Sequence, residues 1–265
     1  MSDSYKKPNK FGELVRSKGF SRYFGISMVA IFVILAFMLF VWLAGAPVAG
    51  IPDEIYFLQL ETPLDDAPVV VFETNIGTMK AVLYPDETPN YYAYFTNLVE
   101  SGYYDGTYIC AVVDGAYSLG GTKTPDPNAA EVEGADLSQI EAEISSNLWP
   151  ITGSLVSYIG DGGVWPFEKH YAGSSMIFVN DIDDAYMAEE ALKRSYGEKL
   201  GGVFAEKGGI PAFSREYTIF GQIYDGWDVF EAINTATVLE TKQPADEIVF
   251  ERVYLSTYGE QKPEE

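Results

Sequence analysis

The stretch from Val69 to Tyr84, VVVFETNIGTMKAVLY, holds two runs of β-branched and apolar residues on either side of a short break. The break, Asn75-Ile76-Gly77, has residue types that favour a tight turn between antiparallel strands. The stretch therefore predicts a β-hairpin, and we take Val69 as the start of a folded domain.

Further short strands and two helices follow the hairpin. The first helix is predicted from Thr88 as N-cap and Pro89 at the first helical position, with Gly102 ending it. A second, shorter helix follows Gly226. The strand-like segments begin at Thr107, Gly153, Ser174, Glu216 and Asp246. Many short strands framed by two helices predict a mainly β, closed barrel.

The N-terminal segment has a different character. No residue from Phe24 to Ala46 is charged, and a helix of this length, at about 1.5 Å per residue, spans a hydrocarbon layer of roughly 30 Å. Residues 1–23 carry six basic and two acidic side chains, which predicts a cytoplasmic N-terminus and an extracytoplasmic domain. A cleaved signal peptide is the alternative, because Ala44-Gly45-Ala46 fits the small-x-small pattern, but the run exceeds the usual signal core of roughly 7–15 residues.

Charge and composition exclude several classes of function. Beyond residue 23 the chain keeps 11 of its 17 basic and 37 of its 39 acidic residues, a net charge of about −26. That charge argues against nucleic acid and anionic lipid as partners. One cysteine, Cys110, forms no internal disulfide, and one histidine, His170, leaves no Cys/His metal site. We therefore predict no cofactor and no metal.

The remaining organisation divides the chain into a segment before the domain, the domain and a tail. Residues 47–68 are rich in proline and acid and are predicted as a linker or a docked extended strand. The domain covers 69–258, with an insertion at about 180–211, and 259–265 form an acidic tail. The run NDIDD at Asn180 to Asp184 suggests calcium, but it lacks the sixth-position glycine and distal glutamate of an EF-hand loop, which favours a solvated loop that partly caps a helix.

Several of these motifs, in their order, resemble the cyclophilin-type peptidyl-prolyl cis-trans isomerases. They are the Val69 hairpin, the helix containing Phe95, the run SGYYDGT from Ser101, the double glycine Gly120-Gly121, and YTIFGQIYDGWDVFEAI from Tyr217. The resemblance spans roughly Val69 to Tyr258. It implies a closed eight-stranded antiparallel barrel with two capping helices.

The resemblance also implies a chemistry. Rotation about an X–Pro bond faces a barrier of about 18–20 kcal/mol, and the prolyl nitrogen gains a lone pair as amide resonance is lost. A catalyst therefore needs an apolar slot for the proline ring and a donor aimed at the nitrogen. In the family that donor is an arginine, and a gapless alignment between the GYYDGT run and the double glycine places Ala111 at its position.

Other positions implied to line the substrate groove also depart from the family pattern. Ala116 replaces the phenylalanine on the floor of the proline slot, and Leu119 replaces a glutamine. Two other side chains are candidates to donate to the prolyl nitrogen in place of the arginine. They are Arg215, on a loop predicted to border the groove, and Tyr117, through its hydroxyl. Strand alternation predicts that the side chain of Cys110 points inward. Burial there would make its thiol inert. The candidate groove residues are Ala111, Val112, Ala116, Tyr117, Leu119, Ser175, Ile177, Phe213 and Tyr217.

These observations predict a function in outline. The chain is expected to be a membrane-tethered, extracytoplasmic domain that binds proline-containing or apolar segments of exported proteins. The resemblance implies isomerase activity, whereas the missing arginine predicts that this activity is weak or lost. The alternative is a non-catalytic binding or structural envelope module that uses the same scaffold, held in the membrane by residues 24–46 and without nucleic-acid partners.

Overall fold

A computed structural model describes residues 51, 54–113, 115–127, 140–157, 160–164, 167–182 and 188–263. The predicted cytoplasmic segment and membrane span, residues 1–23 and 24–46, lie outside these ranges. Within them, no helix combines the length and the apolar character needed to cross a bilayer.

Eight antiparallel strands close into a barrel, which confirms the predicted fold class. The hairpin predicted from the Val69 stretch is present as β1 and β2, with Asn75 and Ile76 in its turn. Around the barrel the order is β1 (Pro68–Thr74), β11 (Ile248–Thr257), β3 (Thr107–Val113), β4 (Tyr117–Thr122), β9 (Met176–Val179), β6 (Ser154–Ser157), β10 (Thr218–Asp225) and β2 (Gly77–Leu83).

Aromatic side chains fill the barrel interior. The ring centroid of Phe72 lies 5.6 Å from that of Phe178 and 5.4 Å from that of Phe250, and all three side chains are buried. An eight-stranded barrel is just wide enough for side chains to fill its interior, so these rings belong to a packed core.

The double glycine allows close packing at the barrel wall. A Cβ on Gly120 would lie 2.7 Å from Cδ1 of Ile109, and one on Gly121 would lie 2.9 Å from the ring of Tyr104. Gly121 also has a φ of +82°, in the left-handed region that side chains other than glycine rarely adopt. Gly121 therefore requires glycine, and a side chain at Gly120 would displace Ile109.

A small second sheet of three strands was not predicted. It consists of β5 (Ile140–Glu141), β8 (Phe167–Ala172) and β7 (Gly160–Val164), in that order. The sequence of β7, GDGGV, has no alternation of apolar and polar residues, so periodicity carries no signal for it.

Among the described residues three α-helices accompany the barrel, one more than the resemblance implies. The two predicted helices are α1 (Pro89–Glu100) and α3 (Trp227–Asn234), and both bury apolar side chains against the barrel core. The third, α2 (Glu189–Lys207), lies in the predicted insertion. Its residues Leu192, Leu200 and Phe204 pack instead against Ile55 and Trp149, in a separate cluster.

The start of α1 is stabilised differently from the prediction. Thr88 occupies the N-cap position, but its hydroxyl donates to the carbonyl of Tyr84 and makes no cap hydrogen bond. The carboxylate of Glu143 accepts the backbone N–H groups of Asn90 (3.2 Å) and Tyr91 (2.8 Å) instead. A distant carboxylate thus satisfies the helix terminus, which local sequence does not reveal.

The segment before β1 is docked on the barrel from Ile55 onward, where the sequence left a linker and a docked strand as alternatives. Its anchor is Gln59, in a 3-10 turn at Leu58–Leu60. The side-chain amide of Gln59 donates to the carbonyl of Trp149 (2.8 Å), and its oxygen accepts the N–H of Trp149 (2.7 Å). It also lies within hydrogen-bond distance of Ser154 Oγ (2.8 Å) and Gln222 Oε1 (2.9 Å).

The predicted acidic tail, residues 259–265, is partly held by the same segment. The N–H of Gly259 donates to the carbonyl of Asp65 (2.8 Å), and Lys262 pairs with the Asp65 carboxylate (2.7 Å). The two ends of the described domain therefore meet.

Candidate functional site

A row of apolar side chains crosses the outside of the barrel. Directly opposed residues on five neighbouring strands are, in order, Ala111, Leu119, Ile177, Val156 and Ile219. Opposed residues on neighbouring strands point to the same side of a sheet, so these five side chains share one face. The last four pack together in a cluster distinct from the one that fills the interior. We call these five residues the outer row.

Three aromatic rings stand beside the outer row. The ring of Phe213 lies 4.8 Å from that of Tyr217 and 5.9 Å from that of Tyr117. All three side chains are half-buried and pack on the same cluster as the row, as does Ala116. We call the outer row together with these four residues the apolar face.

The apolar face contains most of the residues expected to line the groove. Ala111 is 7% exposed and packs against Leu119, its partner across the β3–β4 pair. The other members of that predicted set found in the shared cluster are Ala116, Tyr117, Leu119, Ile177, Phe213 and Tyr217. The structure thus brings together seven of the nine predicted groove residues.

Val112 does not belong to this face. It is 2% exposed and lies in the interior cluster with Ile109. The β3–β4 register breaks at Cys110, since Ile109 opposes Gly120 and Ala111 opposes Leu119, so Cys110 is an extra residue in β3. Beyond this bulge the strand is regular, and Val112, which directly follows the outward Ala111, points to the opposite side of the sheet. The groove assignment of Val112 is therefore wrong.

The same bulge corrects the prediction for Cys110. The thiol is buried as expected, but it packs with Ala111 and Leu119 and not in the barrel interior. Burial raises the pKa of the Cys110 thiol, and a hydrogen bond with Thr122 partly offsets that rise. The thiol is therefore held in its neutral form.

Two other predicted positions lie near the face without joining its cluster. Ser175 is half-buried, and its carbonyl accepts a hydrogen bond from Ser157 Oγ (3.2 Å). Arg215 is half-buried, with a φ of +68° that few residues other than glycine adopt. Its guanidinium forms no hydrogen bond or ion pair with the residues that the structure describes.

The segment suggested as a calcium loop forms hydrogen bonds with two other chain segments. Asn180 donates from its side-chain amide to the carbonyl of Gly115 (2.6 Å), and Asp181 accepts the N–H of Gly209 (3.2 Å). Asp183 and Asp184 lie outside the described residues. Within the described ranges no group of three or more His, Cys, Asp or Glu side chains is placed to hold a metal ion.

Comparison with known proteins shows what the domain is similar to. Residues 69–179 match the model of the cyclophilin-type peptidyl-prolyl cis-trans isomerases. A relative from Staphylococcus saprophyticus, named as a candidate peptidyl-prolyl cis-trans isomerase, is 26% identical over 200 residues, covering 74% of this chain and 95% of the relative. The family model and this relative support a cyclophilin-type domain in this chain.

Two further proteins extend the comparison. A protein of Streptococcus pyogenes, named as a candidate bifunctional phosphatase and peptidyl-prolyl isomerase, is 27% identical over 77% of this chain, but the chain spans only 42% of that relative. The crystal structure of a cyclophilin-type isomerase from Cryptosporidium parvum shares the fold, with a TM-score of 0.53 and 20% identity over 72% of this chain and 98% of its own. That protein has also been crystallised in the presence of the dipeptide Ala-Pro.

In this cyclophilin-like domain the outer row offers contact but no cation. Ala111 stands where the family resemblance places the donor arginine, and Leu119 stands opposite it in place of a polar partner. None of the five residues of the row ionises. The face is therefore suited to hold a proline ring or another apolar group, and it supplies no charge to the prolyl nitrogen as its lone pair develops.

Sequence reasoning missed three parts of this site. Val156 and Ile219 complete the outer row, and His170 places its ring 6.0 Å from that of Tyr217. Val156 and Ile219 lie in predicted strand segments, so strand alternation could have placed their apolar side chains on the outer face. His170 lies on the unpredicted strand β8, so its position required the structure.

Proposed function

We propose that this chain is a membrane-tethered, extracytoplasmic cyclophilin that binds proline-containing or other apolar polypeptide segments of exported proteins and isomerises them weakly or not at all. One observation carries the proposal: the outer row runs unbroken through the donor position, with Ala111 against Leu119. The tether is supported by the uncharged run at residues 24–46 and its basic flank.

Binding and catalysis make different demands on this face. Burying a proline ring stabilises the ground state and the twisted transition state about equally, so it contributes affinity and little rate. A donor that acts only on the twisted state contributes rate, and removing one such group typically costs about 10²–10³ in rate. A face with its apolar surface intact and no arginine in the row therefore favours a binder over a catalyst.

A binding experiment tests the proposal. Fluorescence anisotropy with labelled peptides containing Ala-Pro, added to the full chain in detergent, should show saturable binding. Leu119 is the half-buried member of the row, whose other four residues are buried. Leu119→Glu places a carboxylate there and should weaken binding roughly tenfold or more, since desolvating an unpaired charge is unfavourable. Ile76→Glu is the matched control, because Ile76 is 43% exposed in the β1–β2 turn.

The outcomes separate the candidate functions. Loss of binding in Leu119→Glu with an unchanged melting temperature, and normal binding in Ile76→Glu, supports the proposal. Absence of binding by the unmodified chain to every proline-containing or apolar peptide tested would overturn it, and would favour the alternative of a structural envelope module.

A further inference from the structure

A tight turn around Arg215 borders the apolar face. The N–H of Glu216 donates to the carbonyl of Phe213 (3.4 Å), and the dihedral angles of Ser214 (φ −61°, ψ 126°) and Arg215 (φ +68°) match a type II β-turn. Phe213 and Tyr217, two residues to either side of Arg215, belong to the apolar face, and their rings lie 4.8 Å apart. We call these four residues, 213–216, the Arg215 turn.

Arg215 occupies a position that is unfavourable for an arginine. The third residue of a type II turn needs a positive φ, which glycine adopts freely and residues with a Cβ rarely adopt. Among the residues that the structure describes, Lys242 is the only other non-glycine residue with a positive φ. A side chain held at such a position is a candidate for a role in function.

The guanidinium of Arg215 lacks an anionic partner. It is half-buried and makes no hydrogen bond or ion pair with the described residues, although the exposed Glu216 follows it directly. Arg194 on α2 is also unpaired, but it is exposed, so water solvates its charge. Withdrawing a charge from water without pairing it is unfavourable. The half-buried cation of Arg215 therefore indicates that an anion from outside the described residues completes the turn.

The residue before Arg215 buries a second unused donor. Ser214 is 5% exposed, and its hydroxyl has no hydrogen-bond partner among the described residues. Buried polar groups are nearly always hydrogen-bonded, so this hydroxyl also indicates a missing partner. Two adjacent residues thus lack a hydrogen-bond acceptor, and an anionic acceptor would also balance the charge of the guanidinium.

We propose that the Arg215 turn binds a carboxylate of the polypeptide held on the apolar face, an inference that rests on the proposed function. A guanidinium donates two parallel hydrogen bonds to a carboxylate, and we assign the Ser214 hydroxyl as a further donor to the same group. Two residues of chain cover at most about 7.6 Å, so the Arg215 backbone lies within that distance of both Phe213 and Tyr217. The carboxylate therefore comes from an acidic side chain close to the gripped proline or from the end of the bound chain.

The acidic surface of the domain does not exclude such a ligand. Salt screens exposed charges that lie more than about 8 Å apart at physiological ionic strength, whereas a guanidinium and a carboxylate in contact lie about 3 Å apart. The net charge of about −26 beyond residue 23 therefore slows the approach of acidic peptides in general. The Arg215 turn selects those peptides that carry a carboxylate at one position.

Matched labelled peptides test the inference on the full chain in detergent. Each contains one Ala-Pro pair, has both ends blocked, and carries glutamate or glutamine at one position near the pair. Glutamine preserves the shape of glutamate without its charge. We expect one position at which the glutamate peptide binds roughly three- to tenfold tighter than its glutamine partner. A glutamine peptide with a free C-terminal carboxylate tests the other source, and an advantage confined to that peptide assigns the turn to chain ends.

Three variants locate the effect. Arg215→Gly removes the guanidinium, suits the positive φ, and should lower the affinity for the glutamate peptide to that for the glutamine peptide. Arg194→Gln removes the same charge from an exposed position and should leave the preference intact. Ser214→Ala should roughly halve the preference without lowering the melting temperature, because its hydroxyl makes no hydrogen bond with the described residues.

The inference and the proposed function fail in distinguishable ways. If no carboxylate improves binding, while Leu119→Glu still weakens it, the Arg215 inference is overturned and the proposed function stands. If Arg215→Gly weakens the glutamate and glutamine peptides equally, the inference is also overturned, since the guanidinium then bonds to the peptide backbone. If binding depends on the carboxylate and ignores Leu119→Glu, the proposed function fails instead.

Discussion

At the scale of single residues, the chemistry depends on what stands at Ala111. Introducing Ala111→Arg should restore part of the isomerase activity, because it returns a cationic donor to the row. Adding Leu119→Gln should restore more, since the two positions are directly opposed and the long cation needs a polar partner. Removing one such donor typically lowers the rate by a factor of about 10²–10³, and the two changes together should recover a substantial part of that factor. The measurement is the isomerisation rate of an Ala-Pro peptide.

The control for this prediction is Ala93→Arg, which adds the same charge at an exposed position of α1 and should leave the rate unchanged. If the unmodified chain is as fast as ordinary cyclophilins, the donor lies elsewhere. Arg215 and Tyr117 are then the first positions to substitute.

A second residue-scale prediction concerns Cys110. Its pKa is raised by burial, so the reactive thiolate forms only at a pH above the ordinary range for a thiol. Labelling by a thiol reagent near pH 8 should be much slower in the folded chain than in denaturant, and a reducing agent should leave the melting temperature unchanged. Rapid labelling of the folded chain would contradict the burial of this side chain.

The residue scale also shows where strand alternation fails as a predictor. The family resemblance assigned Ala111, Leu119 and Ile177 to one face, and the structure brings them together. It also assigned Val112 to that face, whereas Val112 alternates with Ala111 and lies in the interior cluster. Alternation itself misplaced Cys110, because a bulge there inserts one extra residue and leaves Cys110 packed with Ala111. The five residues from Ile109 to Val113 are all apolar, so the composition of this run gives no sign of the bulge.

At the scale of elements, Gln59 joins the segment before β1 to the end of the barrel. Gln59→Ala should lower the free energy of unfolding by about 1–3 kcal/mol, because it leaves buried groups of Trp149, Ser154 and Gln222 with fewer partners. Chemical denaturation of the two chains measures the difference. Gln243→Ala, at a half-buried loop position that bonds through its backbone, is the control and should have little effect.

If Gln59→Ala proves neutral, the segment is a loosely attached linker after all. The sequence left these alternatives open because the partners of Gln59 lie 90 to 163 positions away along the chain. The same limit explains the cap of α1 by Glu143, which is 52 positions from Tyr91. Elements with local signals, such as the Val69 hairpin and α3 after Gly226, were predictable from the sequence.

At the scale of the whole molecule, the proposal depends on which side of a membrane the barrel occupies. Protease added to intact cells should remove the domain and spare about the first 20 residues, since a basic flank before an apolar run directs the N-terminus inward. Antibodies to a tag at each end provide the readout. A protected C-terminal tag, or a water-soluble mature form that begins at Pro47, would contradict the uncleaved tether.

The central claim is that this cyclophilin-like domain binds peptides on its apolar face without appreciably catalysing their isomerisation. The most direct test measures both quantities on one sample: the affinity of the full chain for an Ala-Pro peptide, and the cis–trans exchange rate of that peptide by NMR. We predict saturable binding with an exchange rate little above the spontaneous one. Exchange as fast as with a cyclophilin that carries the donor arginine would contradict the claim.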